Sequence, residues 1–126
     1  LRVDQLTSLE TCDVQRQLAL LRRHSPLPII YSVRSAAQGG GFTGTDDQYL
    51  ALLEIGARAG VEWVEVEAKR DGVSIQGFCS RAMRKGVRVL GSWYDVGGQV
   101  ACAAKEVAAA VQACGLQGAA SLAKYT

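Results

Sequence analysis

The sequence has few of the residues from which metal and redox sites are built. Among its 126 residues there is one histidine, His24, and four cysteines, Cys12, Cys79, Cys102 and Cys114, no two of them in C-x-x-C spacing. With no ligand-spaced partners, a zinc site is not expected. The thiols read as small core residues of a reducing compartment, so the chain is expected inside the cell, in cytoplasm or nucleus. No motif asks for a cofactor. No apolar run approaches the roughly 18 residues that cross a bilayer, and the first residues do not read as a signal peptide, so no membrane partner is expected. Basic residues exceed acidic ones by 14 to 12 and are scattered without interleaved aromatics, which argues against direct nucleic-acid binding.

Prolines are also scarce, and both fall in one place, Pro26 and Pro28. They break whatever helix precedes them and introduce the most informative stretch in the chain: the strand Ile29-Ile30-Tyr31-Ser32-Val33-Arg34, then a glycine-rich loop through Gly39-Gly40-Gly41 to Phe42. In parallel α/β architectures binding residues collect at the carboxyl ends of strands. Arg34 at such an end can hold an anion in a two-pronged hydrogen bond, or it can pair with a neighbouring carboxylate and close the strand.

Around this stretch the chain alternates strands and helices. Leu1 to Asp4 reads as the tail of a strand. Glu10 to Arg23 is a helix with Val14, Leu18 and Leu21 at helical spacing, and Thr45 caps a second through about Ala59, its apolar face using Tyr49, Leu52, Leu53 and Gly56. The segment 61–67 alternates, placing Glu65 and Glu67 on one face. That pattern suits either site chemistry or an ion-pair network with Arg2, Arg34 or Arg88. A third helix over 73–85, a strand over 87–93, an alanine-rich helix over 98–113 and a short strand over 119–124 complete the order. The class is α/β: a parallel sheet of four to five strands built from βα repeats with right-handed crossovers. A closed eight-unit barrel typically needs ~250 residues, so the sheet is either open or an incomplete, about half, TIM-type barrel. The chain opens on Leu1 without a methionine and is expected to be a fragment of a longer multidomain polypeptide, with residues 1–126 forming one partial domain.

Several of these segments together resemble a known family. Leu1-Arg2-Val3-Asp4, the run from Leu21 to Ile30, and Val33-Arg34-Ser35 with Gln38-Gly39-Gly40 and Phe42 are similar to type I 3-dehydroquinate dehydratase, in particular to its form within fungal arom proteins. Val64-Glu65-Val66-Glu67 resembles the family's Val-Asp-hydrophobic-Glu strand, and Ser92-Trp93-Tyr94-Asp95 its Ser-His-His-Asp strand end. The family dehydrates through a Schiff base on a strand lysine, with a histidine as general acid and base. The resemblance implies that Arg2 and Arg34 bind substrate and that Glu67 orients the histidine. It also implies a loss. Tyr94 stands where the histidine belongs, and Ser121 falls where the Schiff-base lysine belongs. Lys124, three residues on, points by alternation to the other face from Ser121.

Fungal repressors of quinate-utilisation genes carry such a dehydratase-like domain. The implied function is transcriptional control by a degenerate enzyme that holds the pathway's transcriptional activator, senses a quinate-like small molecule through Arg2, Arg34 and Glu67, or does both. Half a barrel would also leave sheet edges and an apolar inner face free, which suggests a homodimer or a partner chain. The alternative is an active dehydratase using Lys124 or Lys69.

Overall fold

In a computed structural model, residues 1–70, 72–96, 109, 112–113 and 122–125 are described. Helix α1 (Thr11–His24) is followed by strand β1 (Ile30–Ser32), helix α2 (Asp46–Arg58), strand β2 (Trp63–Glu67), helix α3 (Val73–Arg84), strand β3 (Arg88–Trp93) and strand β4 (Leu122–Tyr125). The strands form one sheet in the order β1-β2-β3-β4, every pair parallel. Each helix therefore serves as the crossover between neighbouring parallel strands. Most of the expected helix over 98–113 lies outside the described residues, though residues 109, 112 and 113 are helical. Leu1 and Arg2 begin a further parallel pairing on the free side of β1: the Leu1 ammonium donates to the Ile30 carbonyl, Ser32 N–H to the Leu1 carbonyl, and Arg2 bridges Ser32.

Residue alternation divides the sheet into two chemically different faces. Tyr31, Val64 and Val89 lie in one row, with Val66 next above, and these side chains meet the helices in the core with Tyr49, Leu53 and Phe78. Two tyrosines fasten α2 to the sheet. Tyr31 donates its hydroxyl to the Leu52 carbonyl at 2.8 Å, and Tyr49 accepts from Glu67 N–H at 3.1 Å. Burial raises the pKa of both phenols above the ordinary tyrosine range. The close approach of α2 to β1 is possible because residue 56 is glycine, since a Cβ there would stand 2.6 Å from the Tyr31 ring.

The other face, expected to be apolar, is not. Its rows run Ile30, Trp63, Arg88; then Ser32, Glu65, Leu90; then Glu67, Ser92. Ser32, Glu65, Glu67 and Ser92 are all buried. The alternating glutamates of β2 had signalled this, because a strand cannot carry two carboxylates on one face and keep that face greasy. Two smaller expectations also fail. Leu21 is 37% exposed, since only Val14 and Leu18 of α1 reach the core. Cys12, at the start of α1, is exposed rather than a core thiol, whereas Cys79 is buried; Cys102 and Cys114 lie outside the described residues.

Asp4 ties the chain's beginning to the glycine loop. Its carboxylate accepts from the Arg2 guanidinium at 2.6 and 2.8 Å, from the Gln5 amide, and from the N–H groups of Arg34 and Gly41. The loop glycines make room for this: a Cβ on Gly41 would lie 2.6 Å from the Asp4 carbonyl, and one on Gly40 would strike the Arg34 carbonyl. The hydrogen bonds outweigh burial and hold the Asp4 pKa far below the usual carboxylate range.

Two outcomes follow. Gly56→Ala is expected to destabilise by about 1–3 kcal/mol of overpacking, more than the ~1 kcal/mol gained in helix propensity, as read from urea unfolding. A depressed folded pKa contributes stability that is present above the unfolded carboxylate pKa and lost as pH falls through the folded one. The Asp4→Asn variant should accordingly lose about 2 kcal/mol at neutral pH, and the gap to the parent should narrow steadily as unfolding is measured below the ordinary aspartate pKa.

Candidate functional site

The site residues meet where the strands of the polar face end. Tyr94, one residue past β3, is buried and donates its hydroxyl to Glu65 Oε1 at 2.6 Å. The Arg34 guanidinium lies over the Tyr94 ring, its central carbon 3.5 Å from the ring centroid, close enough for a strong cation–π contact. Tyr94 N–H donates to Gln38 Oε1 at 2.7 Å, so the short helical turn after β1 (Ala36–Gln38) grips the end of β3. One aromatic side chain thus joins three βα units at their carboxyl ends.

Glu67 occupies a separate network. It accepts from Ser35 N–H at 2.6 Å and from Arg70 Nε at 3.0 Å, and Arg70 continues to Asp46 at the start of α2 while its guanidinium lies over the Tyr49 ring. The expected ion-pair network is therefore real but differently peopled. Arg70 joins Glu67, while Arg2 pairs with Asp4 and Arg88 stacks on Trp63. The carboxylate that receives the Tyr94 hydroxyl is that of Glu65. Glu65 stands one row below Glu67 on β2, where the long phenol side chain reaches it.

The structure thus brings Arg34, Tyr94 and Glu65 together, leaves Glu67 beside them in its own clamp, and holds Arg2 at the edge against Asp4. His24 is exposed at the end of α1, on the side where the strands begin. Lys69 is exposed, its ammonium 4.8 Å from the Trp93 ring centroid, and it lines the same cleft as Glu67. Ser121 lies outside the described residues.

Lys124 is a different matter. The parallel register pairs it with Ser92, which is itself paired with Glu67, so the backbone of Lys124 stands in the row of the polar face. Alternation does separate it from position 121, but the row that matters is its own. Sequence alignment over the alanine-rich approach to β4 carries no landmark that fixes this offset, whereas strand pairing does. Gln38 was also missed as a site residue. Its signal was its place between the strand-end arginine and the glycines.

Buried polar atoms without a hydrogen-bond partner gather beside Tyr94: Arg34 Nε, Gln38 Nε2 and Ser92 Oγ. A shallow cleft of about 330 Å³ opens next to them, lined by Ser35, Gln38, Asp46, Glu67, Lys69 and Arg70 among others. Among the described residues, no three His, Cys, Asp or Glu side chains are grouped to hold a metal ion, and no helix is long and apolar enough to cross a membrane.

Comparison with known proteins places this arrangement. The family model for type I 3-dehydroquinase matches residues 1–118. The chain is 40% identical over 88 residues to the pentafunctional AROM polypeptide of Malassezia globosa, covering 68% of this chain and 5% of that protein. It is 35% identical over 102 residues to the AROM polypeptide of Candida tropicalis, covering 79% and 6% respectively. Among solved structures, type I 3-dehydroquinate dehydratase from Clostridium difficile matches with a TM-score of 0.87 at 25% identity, over 98% of this chain and 49% of that one. The chain therefore spans a small fraction of these curated relatives and about half of a solved dehydratase, and its parallel βα repeats are part of a TIM-type barrel. On the strength of the sequence match and the shared fold, it belongs to the type I 3-dehydroquinase family.

Proposed function

We propose that this is a dehydroquinase-like domain that does not dehydrate, and that it serves in a transcriptional repressor of quinate catabolism by holding the pathway's activator protein or sensing a quinate-pathway acid. The observation that carries the loss of catalysis is the Tyr94 phenol held between Glu65 and Arg34. A free phenol has a pKa near ~10, so about one in a thousand is ionised at neutral pH. A proton shuttle needs a pKa near the working pH. The arginine that would receive a substrate carboxylate covers the same ring. The regulatory role rests on the resemblance to fungal repressors, and the absence of the imidazole is what makes a non-catalytic role the simpler reading.

The register of Lys124 favours a second reading, in which the domain is an active Schiff-base dehydratase. A lysine whose backbone pairs in the row of Ser92 and Glu67 supplies the residue type that condenses with a ketone, whether or not a histidine is present to move protons afterwards. The two readings part at turnover. Incubation with 3-dehydroquinate is expected to yield no conjugated enone product by ultraviolet absorbance, whereas an active Schiff-base enzyme would turn over and gain about two to four orders of magnitude from Tyr94→His, the usual contribution of a positioned acid–base group. Borohydride in the same incubation, followed by peptide mass mapping, shows whether Lys124 forms an imine. Product formation by the unaltered chain rejects the non-dehydrating reading.

A further inference from the structure

The hydrogen-bonding inventory around Tyr94 is lopsided, and this decides what kind of acid the site can take. Among the described residues the carboxylates of the site each hold a donor, and the one acceptor without a partner is the Ser92 hydroxyl oxygen. Glu65 holds the Tyr94 hydroxyl, Glu67 uses both oxygens on Ser35 and Arg70, Asp4 uses both on Arg2, Gln5 and loop N–H groups, and the Gln38 carbonyl oxygen holds Tyr94 N–H. The groups left without partners can all donate: Arg34 Nε, Gln38 Nε2 and the Ser92 hydroxyl. Gln38 and Ser92 are 2% and 1% exposed, so these donors are deeply buried. A ring polyol brings a donor with every hydroxyl, and beyond the single Ser92 oxygen it needs engaged carboxylates to release their present partners. A carboxylate or ketone brings acceptors only.

Shape points the same way. Arg34 already accepts a flat six-membered ring against its guanidinium plane, and the neighbouring position on the polar face is the buried Leu90. A planar ring loses little by lying where the Tyr94 ring lies, whereas a puckered, hydrated ring would have to shed water against leucine.

We infer that the site beside Arg34, Gln38 and Ser92 binds a small planar carboxylate poor in hydroxyl groups, an aromatic or conjugated ring acid, in preference to a polyhydroxylated ring acid. The Tyr94 ring is the internal occupant that such a ligand displaces from Arg34. This rests on the reading of the site as one that binds an acid without turning it over. The two are separable, because binding order is read by heat and turnover by product absorbance.

The test is titration calorimetry on the full chain with benzoate, quinate and benzamide as probes. Benzoate should bind at least about tenfold more tightly than quinate, and benzamide, which lacks the charge, more weakly than benzoate. Arg34→Ala should abolish benzoate binding. Ser92→Ala, a small change that leaves the charges in place, should weaken it by about three- to tenfold and covers the case in which the arginine variant does not fold. Quinate binding as tightly as benzoate overturns the inference. So does an absence of heat with every probe, or benzoate binding that Ser92→Ala leaves unchanged.

Discussion

Two glutamates buried on one side of a strand impose the strictest demand in this molecule. Glu65 and Glu67 stand in adjacent rows of β2, on the face away from the helices, and each must find donors or lose its charge. The solutions differ. Glu67 is answered by backbone and by a cation, Ser35 N–H and Arg70, and through Arg70 it reaches the first turn of α2. Glu65 is answered by Tyr94 from the end of β3. Between them these contacts fasten three successive strand ends to one another, so the rim of the sheet is held by polar bonds while its helix face is held by packing.

That division explains which parts of the architecture could be read from the chain. The helix face is written in periodicity: Tyr49, Leu52, Leu53 and Gly56 recur at helical spacing and are all buried, and the strands fall where apolar β-branched residues cluster. The capping box at Thr45 and Gln48 and the left-handed glycine at Gly60 mark α2 as plainly as any sequence signal can. The polar face is not periodic in hydrophobicity, so its composition was misjudged as apolar. What revealed it was the pair of alternating glutamates, whose shared side follows from strand geometry but whose partners do not. Arg70 lies three residues from Glu67 and was invisible as its partner, because nothing local says that the chain turns back immediately after β2.

Lys124 illustrates the same limit from the other direction. A strand of four residues preceded by alanines offers no side-chain pattern that sets its offset against a relative, and a slip of one residue exchanges the two faces. The ladder with β3 removes that freedom by pairing Lys124 with Ser92. The comparison of positions 121 and 124 was therefore sound as alternation and uninformative as register. Parallel pairing, which is non-local, carries the information that sequence spacing lacks.

The replacements at 65 and 94 make best sense as a linked pair. Where the family motif carries an aspartate and a histidine, this chain carries a glutamate and a tyrosine, each side chain reaching further than the one it stands for. The bond at 2.6 Å between them gives each buried group a partner in the other. Glu67 clamps Ser35 and Arg70, and the guanidinium of Arg34 lies on the π face of Tyr94. The rim is thus set by which acid of β2 answers which donor, with the aromatic and the arginine placed around the Glu65–Tyr94 bond.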